Sequence, residues 1–419
     1  MAKKNLSRRN FLGTAAVGFA GAAVSMRGAD SLANPSNNAN NFASKTGMKY
    51  RRLGRTNLMI SEMILGCASG LRSEQLGKIL FNRYREQLPF IVNELFDRGC
   101  NGFCTSYCYH DTEEILGKAL VGKRDKVYII TGAPAGDANK VIESGERSLK
   151  RWKTDHIDGF FCHGGWSEGF YEGAKKLQEQ GKIRFIGESG HKPEGHVERI
   201  EANQVDFILQ PRNFMNQAKW TEKIDYKTAD ELFALCKKKD VGVLNIKPFT
   251  GHFIPNWAES STDPKVQGFL SDLKEFGKKN LYQAMLIWVL QNPNVTAAVC
   301  GFNETQDVVE DWEGYIDGKL TSKHMELLER YAALASNDYC RLCETCVPFC
   351  PKGIPIPDIQ RNRMYYKNYG HRLDSREYYA ALNPAKQASA CDGCGACEAV
   401  CPSGVSIIKN LEDAHKLLA

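Results

Sequence analysis

Nowhere in its 419 residues does the chain offer the run of about 20 apolar residues that a membrane-spanning helix needs. It has no G-x-G-x-x-G following a predicted strand, which removes the phosphate-cradling signature of a doubly wound dinucleotide fold. It has no Lys/Arg stripe with interleaved aromatics, so nucleic acid is not an expected partner. The formal charge of +6 is a weak argument for a basic surface, because Lys3, Lys4, Arg8, Arg9 and Arg27 crowd into the first 33 residues. Cysteine is the exception to this sparseness, with 15 residues. A disulfide framework is not the expected reason, since a chain this long needs no covalent staples.

Eight of the cysteines fall in two matching runs. Cys340, Cys343, Cys346 and Cys350 precede Pro351; Cys391, Cys394, Cys397 and Cys401 precede Pro402. Both read C-x2-C-x2-C-x3-C-P, the bacterial two-cluster ferredoxin pattern, in which the fourth cysteine of each run serves the other cluster. The spacing therefore predicts one [4Fe-4S] cluster on Cys340, Cys343, Cys346 and Cys401, and a second on Cys391, Cys394, Cys397 and Cys350. Four thiolates suit a soft tetrahedral metal. Two structural zinc sites or disulfides are the competing readings, disfavoured by the repetition of the trailing Cys-Pro.

The N-terminus reads as an export signal. Ser7-Arg8-Arg9-Asn10-Phe11-Leu12-Gly13 leads a mildly apolar stretch to about Val24, the arrangement of a twin-arginine signal. Ser31-Leu32-Ala33 is a small-x-small cleavage site. The expectations are a signal peptide over 1–33, a polar linker over 34–47, a periplasmic or exported protein, and the twin-arginine translocation machinery as a partner. An uncleaved signal would leave the protein membrane-associated. A basic, disordered tail is the bland alternative.

Between the linker and the cysteine runs, short apolar segments alternate with amphipathic ones. The pattern predicts strands near 63–67, 101–105, 127–131, 157–162, 183–187, 206–210, 242–247 and 295–300. Helices are predicted near 87–98, 112–120, 139–152, 168–180, 193–202, 227–238, 281–291 and 304–313. Eight strand–helix units favour a closed (β/α)8 TIM barrel over an open sheet. The barrel is assigned 48–335 and a two-cluster ferredoxin-type domain 336–419. Residues 71–88 exceed an ordinary loop and predict an added helix at the barrel mouth. The segment from Asp358 to Tyr379 predicts a cover over the clusters that docks on the barrel.

Three stretches give this region a family likeness. They are Tyr50-Arg51-Arg52-Leu53-Gly54-Arg55-Thr56, Gly181-Lys182-Ile183-Arg184-Phe185-Ile186-Gly187, and Lys247-Pro248-Phe249 with Gly251. On these the chain resembles the aldo/keto reductases, specifically a ferredoxin-fused branch with a twin-arginine signal. The resemblance implies a barrel that reduces carbonyls with NADPH. It also implies a site of aspartate, tyrosine, lysine and histidine, with the tyrosine as proton donor. The family's Phe-Asp-Thr-Ala-x-x-Tyr-Gly is here Phe103-Cys104-Thr105-Ser106-Tyr107-Cys108-Tyr109-His110. Tyr109 keeps the tyrosine position and His163 the histidine position. Cys104 replaces the aspartate, and Gly132 stands where the lysine would follow Ile129-Ile130-Thr131. Gln210 and Asn213 match nicotinamide-contacting positions, and His191 lies in a segment that does the same. After Cys300-Gly301-Phe302, Asn303 stands where a phosphate-binding cation would be, and Glu304 would repel a phosphate. NADPH binding is therefore expected to be weak or absent.

The catalytic candidates are Tyr109, His163 and Cys104, with Gln210 and Asn213 at cofactor-binding positions. Cys67, Cys104 and Cys108 are predicted to gather at the barrel mouth. Three readings apply to them: an additional metal or iron–sulfur centre with His110 or His163, a redox thiol site, or ordinary packing. Adjacent Cys162 is predicted to point away, because side chains alternate along a strand. The sequence thus reads as an exported iron–sulfur oxidoreductase. It would pass electrons between an unidentified redox partner protein and a small-molecule substrate. The alternatives are a conventional NAD(P)H-dependent carbonyl reductase and a non-catalytic electron-transfer or partner-binding subunit.

Overall fold

The computed structural model describes residues 46–67, 80–217, 229–249, 261–302, 304–335, 338–368 and 372–419. Strands β1 (Tyr50–Arg52) and β2 (Met59–Ser61) pair antiparallel as a hairpin. Eight further strands follow: β3 (Met63–Gly66), β4 (Gly102–Ser106), β5 (Tyr128–Pro134), β6 (Ile157–His163), β7 (Ile183–Ser189), β8 (Phe207–Pro211), β9 (Gly242–Ile246) and β10 (Ala297–Cys300). They close into a parallel barrel in chain order, β10 pairing with both β9 and β3.

The barrel closes because its strands carry apolar residues on both faces, one toward the lumen and one toward the surrounding helices. The lumen is filled by side chains from alternate strands. Phe207, fully buried, occupies space that Gly159 and Gly187 leave open; a Cβ on Gly187 would lie 2.5 Å from its ring. The hairpin seals the end from which the strands begin. Arg51 donates to the carbonyls of Leu290 and Val295, and Tyr50 Oη donates to Gly99 O. The opposite end, at the strands' C-termini, is where a barrel of this type builds its sites.

The helices Ala138–Trp152 and Glu168–Glu179 are each started by a side-chain cap, Asp137 and Ser167 respectively. Helices Pro264–Phe276 and Ser322–Ala335 were not foreseen in the sequence. Part of the expected extra helix at 71–88 falls outside the described residues. The remainder, from Leu80, opens the long helix Leu80–Asp97 and is not a separate element.

The C-terminal segment is a small domain with its own core, in which Ile354, Ile356, Ile359, Tyr379, Ile407, Leu411 and Leu418 are buried together. It is an internal two-fold repeat. Cys350-Pro351-Lys352-Gly353-Ile354 is echoed by Cys401-Pro402-Ser403-Gly404-Val405, and each leads into a helix, Ile356–Asn368 and Ile407–Leu418. The tyrosines of the Asp358–Tyr379 segment serve this domain. Tyr379 is buried, and its hydroxyl meets His415 Nδ1 at 2.8 Å. From the same segment, Met364 packs against the barrel core.

Candidate active site and cysteine cages

Two concavities in the small domain gather the eight cysteines. One is lined by Cys340, Cys343, Cys346 and Cys401, the other by Cys350, Cys391, Cys394 and Cys397. Each encloses on the order of 300 Å³ of empty space open to solvent (≈ 350 and ≈ 320 Å³). Each set takes three cysteines from one run and the fourth from the other. Ile356 lines both and forms a shared wall.

The backbone makes the cages. The residues two and four places beyond the first cysteine take positive φ in both runs: Leu342 (59°) and Glu344 (61°) in the first, Gly393 (71°) and Gly395 (77°) in the second. These turns aim three sulfurs inward. Amides of Leu342 and Val405 donate to Cys340 Sγ and Cys401 Sγ, each at 3.4 Å. As bare thiols the set is unfavourable to ionise. Burial, then neighbouring sulfurs, push Cys346 up to about 12; burial, then Glu398 and Cys391, push Cys397 up to about 11. A cationic metal reverses that balance by displacing the protons. Among the described residues no three His, Cys, Asp or Glu side chains could hold one metal ion. Each cage gathers four cysteines, three from one run and the fourth from the other, the ligand set of a two-cluster ferredoxin. The residues present fit two [4Fe-4S] clusters.

At the barrel mouth, Tyr109 Oη and His163 Nε2 share a hydrogen bond of 3.1 Å. The other ring nitrogen, Nδ1, lies 3.4 Å from Cys108 Sγ. Tyr109, His163 and Cys108 thus form one line, with the imidazole in the middle and fixed from both sides. His110, where the family motif has glycine, takes φ 53°, which keeps the turn that presents Tyr109.

Cys104 lies below this line in β4, 4% exposed, with Cys67 as its charged-state neighbour. Burial pushes the Cys104 thiol well up, and Cys67 adds to the rise. It is a neutral thiol, not a nucleophile. Of the three cysteines expected to hold an additional metal or iron–sulfur centre, Cys67 and Cys104 are neighbours, and Cys108 Sγ faces His163 Nδ1 at 3.4 Å. Cys162 turns to the other side of its strand, where Sγ meets Gly165 O at 2.6 Å.

The missing lysine has a steric cause. A Cβ on Gly132 would lie 2.6 Å from Phe161 Cε2 and 2.7 Å from Ser106 Oγ. The space into which a lysine would project is occupied.

The nicotinamide positions are filled from within the chain. Gln210 Oε1 meets His196 Nε2 at 3.1 Å, and Gln210 Nε2 donates to Pro211 O at 3.3 Å. Asn213 is fully buried; its Nδ2 donates to Lys247 O at 3.0 Å and to Tyr339 Oη at 3.2 Å. Tyr339 directly precedes Cys340, so the first cage is anchored on a side chain at one of the expected cofactor-binding positions. At the other end of the expected cofactor site, Asn303 lies outside the described residues. Glu304 and Asp307 cap helix Thr305–Asp317 reciprocally. Asp311 on that helix is raised to about 8 by burial, then by Asp307 and Glu310. Asp311 is thereby a neutral acid, and it is Glu304 and Asp307, at the start of the helix, that oppose a phosphate.

Three further groups act at the mouth: His191 and Lys247, which the sequence had marked through the family likeness alone, and Arg361, which it had not marked. His191 follows β7, Lys247 follows β9, and Arg361 reaches in from helix Ile356–Asn368. Burial, then Arg361, lower Lys247 to about 8. Burial, then Lys247, Arg361, His163 and His196, hold His191 well below its usual value, so it is a neutral imidazole.

Comparison with known proteins identifies the two parts of the chain. Residues 76–333, more than half of the chain, match the Aldo/keto reductase family, and residues 339–406 match the 4Fe-4S dicluster domain. The chain is 26% identical to L-galactose dehydrogenase of Arabidopsis thaliana, over 64% of this chain and 88% of that protein. It is 24% identical to the uncharacterized oxidoreductase YqkF of Bacillus subtilis, over 68% and 96%. Among solved structures, the aldo-keto reductase AKR11C1 from Bacillus halodurans (holo form) superimposes with a TM-score of 0.53 at 19% identity, covering 68% of this chain and 96% of that one. That likeness concerns the fold.

Proposed function

The chain belongs to the aldo/keto reductase family and carries a 4Fe-4S dicluster domain at its C-terminal side, and from that premise we propose an iron–sulfur oxidoreductase whose barrel is served by its own tail instead of a bound nicotinamide. The observation that carries this reading is the hydrogen bond between Asn213 and Tyr339 Oη. It commits a cofactor-contacting side chain to the residue beside the first cage. When bound, two [4Fe-4S] clusters supply one-electron transfer between a redox partner protein and the barrel.

The barrel's residues handle protons and position. Tyr109 Oη is the group that gives a proton to a carbonyl oxygen of a small-molecule substrate. An ordinary tyrosine titrates near pH 10 and is a poor donor alone. Here His163 Nε2 contacts the hydroxyl and resupplies its proton, while Cys108 holds Nδ1 and fixes the ring. Phe161, edge-on to His163 at 6.0 Å between centroids, walls the site where the family's lysine would enter. We further propose that residues 1–33 are a twin-arginine signal, 34–47 a linker, 48–335 the barrel and 336–419 the cluster domain. The protein then acts outside the cytoplasm, where free NADPH is not supplied. The Arg8-Arg9 pair ahead of the apolar stretch supports this.

The test is turnover with two electron sources. Anaerobically purified protein would be given a panel of small carbonyl compounds with reduced methyl viologen, and separately with NADPH. The expected result is reduction of one or more compounds with viologen alone, lost in Tyr109→Phe. Turnover with NADPH in a Cys343→Ser/Cys394→Ser variant would overturn the reading.

A further inference from the structure

We propose that Lys247, Arg361 and His191 form a binding site for an oxyanion, a carboxylate or phosphate group carried by the substrate of the barrel. This rests on the nicotinamide-free reading above, since in a nucleotide-bound enzyme the same groups would face a cofactor.

The three groups come from separate parts of the chain and meet at one place. β7, β8 and β9 are neighbours in the barrel, so the segments after them emerge side by side. Gln210 Nε2 lies 3.4 Å from His191 O, and Asn213 Nδ2 donates to Lys247 O at 3.0 Å. Two buried amides on β8 and just after it thus hold the backbones of His191 and Lys247 on either side. Lys247 is kept at φ 56°, although a residue before proline ordinarily takes extended backbone. Such a conformation costs on the order of 1–3 kcal/mol and persists where surrounding structure enforces it. Arg361 is delivered by the tail, which Tyr339 anchors to the same Asn213.

What Lys247 lacks among the described residues is an opposite charge. The charged neighbour acting on Lys247 among the described residues is Arg361, a like charge. Arg361 holds Asp358 through Nη2, while its Nε is buried without a hydrogen-bond partner among the described residues. His191 Nε2 is likewise buried and unpartnered among them. A lysine beside a like charge, together with a buried arginine Nε and a buried imidazole nitrogen that have no partner among the described residues, is a costly arrangement. An oxyanion resolves all three at once, accepting charge-assisted hydrogen bonds from Lys247 and Arg361 and a neutral one from His191. His163 is close enough for its charge to act on His191. An anionic group held here would therefore leave the rest of a small molecule facing Tyr109 and His163. The tail would complete the substrate site as well as carry the clusters.

The experiment is calorimetric titration of the oxidised, cluster-loaded full chain with malonate and, separately, inorganic phosphate. Parent, Lys247→Met, Arg361→Met and the charge-keeping Lys247→Arg would be compared. Iron content and far-ultraviolet circular dichroism would confirm that each is folded. Saturable binding of either anion is expected in the parent. It should weaken at least tenfold in Lys247→Met and in Arg361→Met, and be largely kept in Lys247→Arg. The preferred anion identifies whether the group is a carboxylate or a phosphate. No saturable binding of either, or equal binding in the folded Met variants, would overturn the site and leave the electron-transfer reading standing. Micromolar NADPH binding alongside undisturbed malonate binding would overturn that reading and leave the oxyanion site standing. NADPH that displaces malonate would assign the cations to a nucleotide phosphate and overturn the site.

Discussion

Gly132→Ala adds one methyl group at the position where the family's lysine begins. In an open, compatible site this exchange stabilises by about 0.4–1 kcal/mol, by restricting the unfolded chain. At Gly132 the new Cβ would meet Phe161 Cε2 at 2.6 Å, Ser106 Oγ at 2.7 Å and Phe161 Cζ at 2.8 Å. Phe161 is 2% exposed and has no solvent to swing into. Overpacking of this kind typically costs about 1–3 kcal/mol, so the net expectation is a loss of about 1–2 kcal/mol. The control is Gly136→Ala on the next loop, where an added Cβ meets nothing within 4 Å. Urea unfolding of both variants, followed anaerobically by circular dichroism, should separate them by about 2 kcal/mol with opposite signs against the parent. Adding Phe161→Leu should recover part of the Gly132→Ala loss, a coupling of about 1 kcal/mol expected for residues in contact. If Gly132→Ala and Gly136→Ala agree within about 0.5 kcal/mol, the argument that the lysine's space is filled is wrong.

Other outcomes follow from the same geometry. Cys401→Ser should damage the cluster held by Cys340, Cys343 and Cys346, and Cys350→Ser the one held by Cys391, Cys394 and Cys397. Low-temperature electron paramagnetic resonance of each reduced variant reads this, and loss in the other cluster would reject the crosswise sets. Arg8→Lys with Arg9→Lys should retain the protein in the cytoplasm, and undiminished periplasmic yield on fractionation would count against the signal. Oxyanion affinity should fall as pH rises through about 8, because Lys247, lowered to about 8 beside Arg361, then loses its charge. His191 is already neutral below this range, with Lys247, Arg361, His163 and His196 all acting on it. A flat profile from pH 6.5 to 9 would remove Lys247 from the site.

Much of this could be read from sequence where the signal is local. The apolar run expected at 157–162 is β6, Ile157–His163, and that at 183–187 is β7, Ile183–Ser189. A strand buried on both faces is legible by composition alone. The cysteine runs were legible because ligand spacing is fixed by the cube they must wrap. The substitution at Gly132 was visible, but its reason was not, because Phe161 lies on the neighbouring strand. The least legible contact is Asn213 with Tyr339, 126 residues apart. Nothing in either neighbourhood marks it, since it arises only when the tail folds onto the mouth. The same holds for Arg361, which reads as one charge on an amphipathic helix until Lys247 and His191 are beside it. The extra centre at Cys67, Cys104 and Cys108 was drawn from strand register, which gives closeness and not ligation. Cys67 and Cys104 are neighbours and Cys108 turns to His163.

The central claim is that the tail has taken the place of the nicotinamide. It is tested most directly by anaerobic calorimetric titration of the cluster-loaded protein with NADPH. With Asn213 and Gln210 committed within the chain and carboxylates at the phosphate end, the dissociation constant should be weaker than about 100 µM. That corresponds to less than about 5.5 kcal/mol of binding free energy. A constant of about 1 µM or tighter, worth about 8 kcal/mol, would mean that Tyr339 yields the site to the cofactor, and would contradict the account.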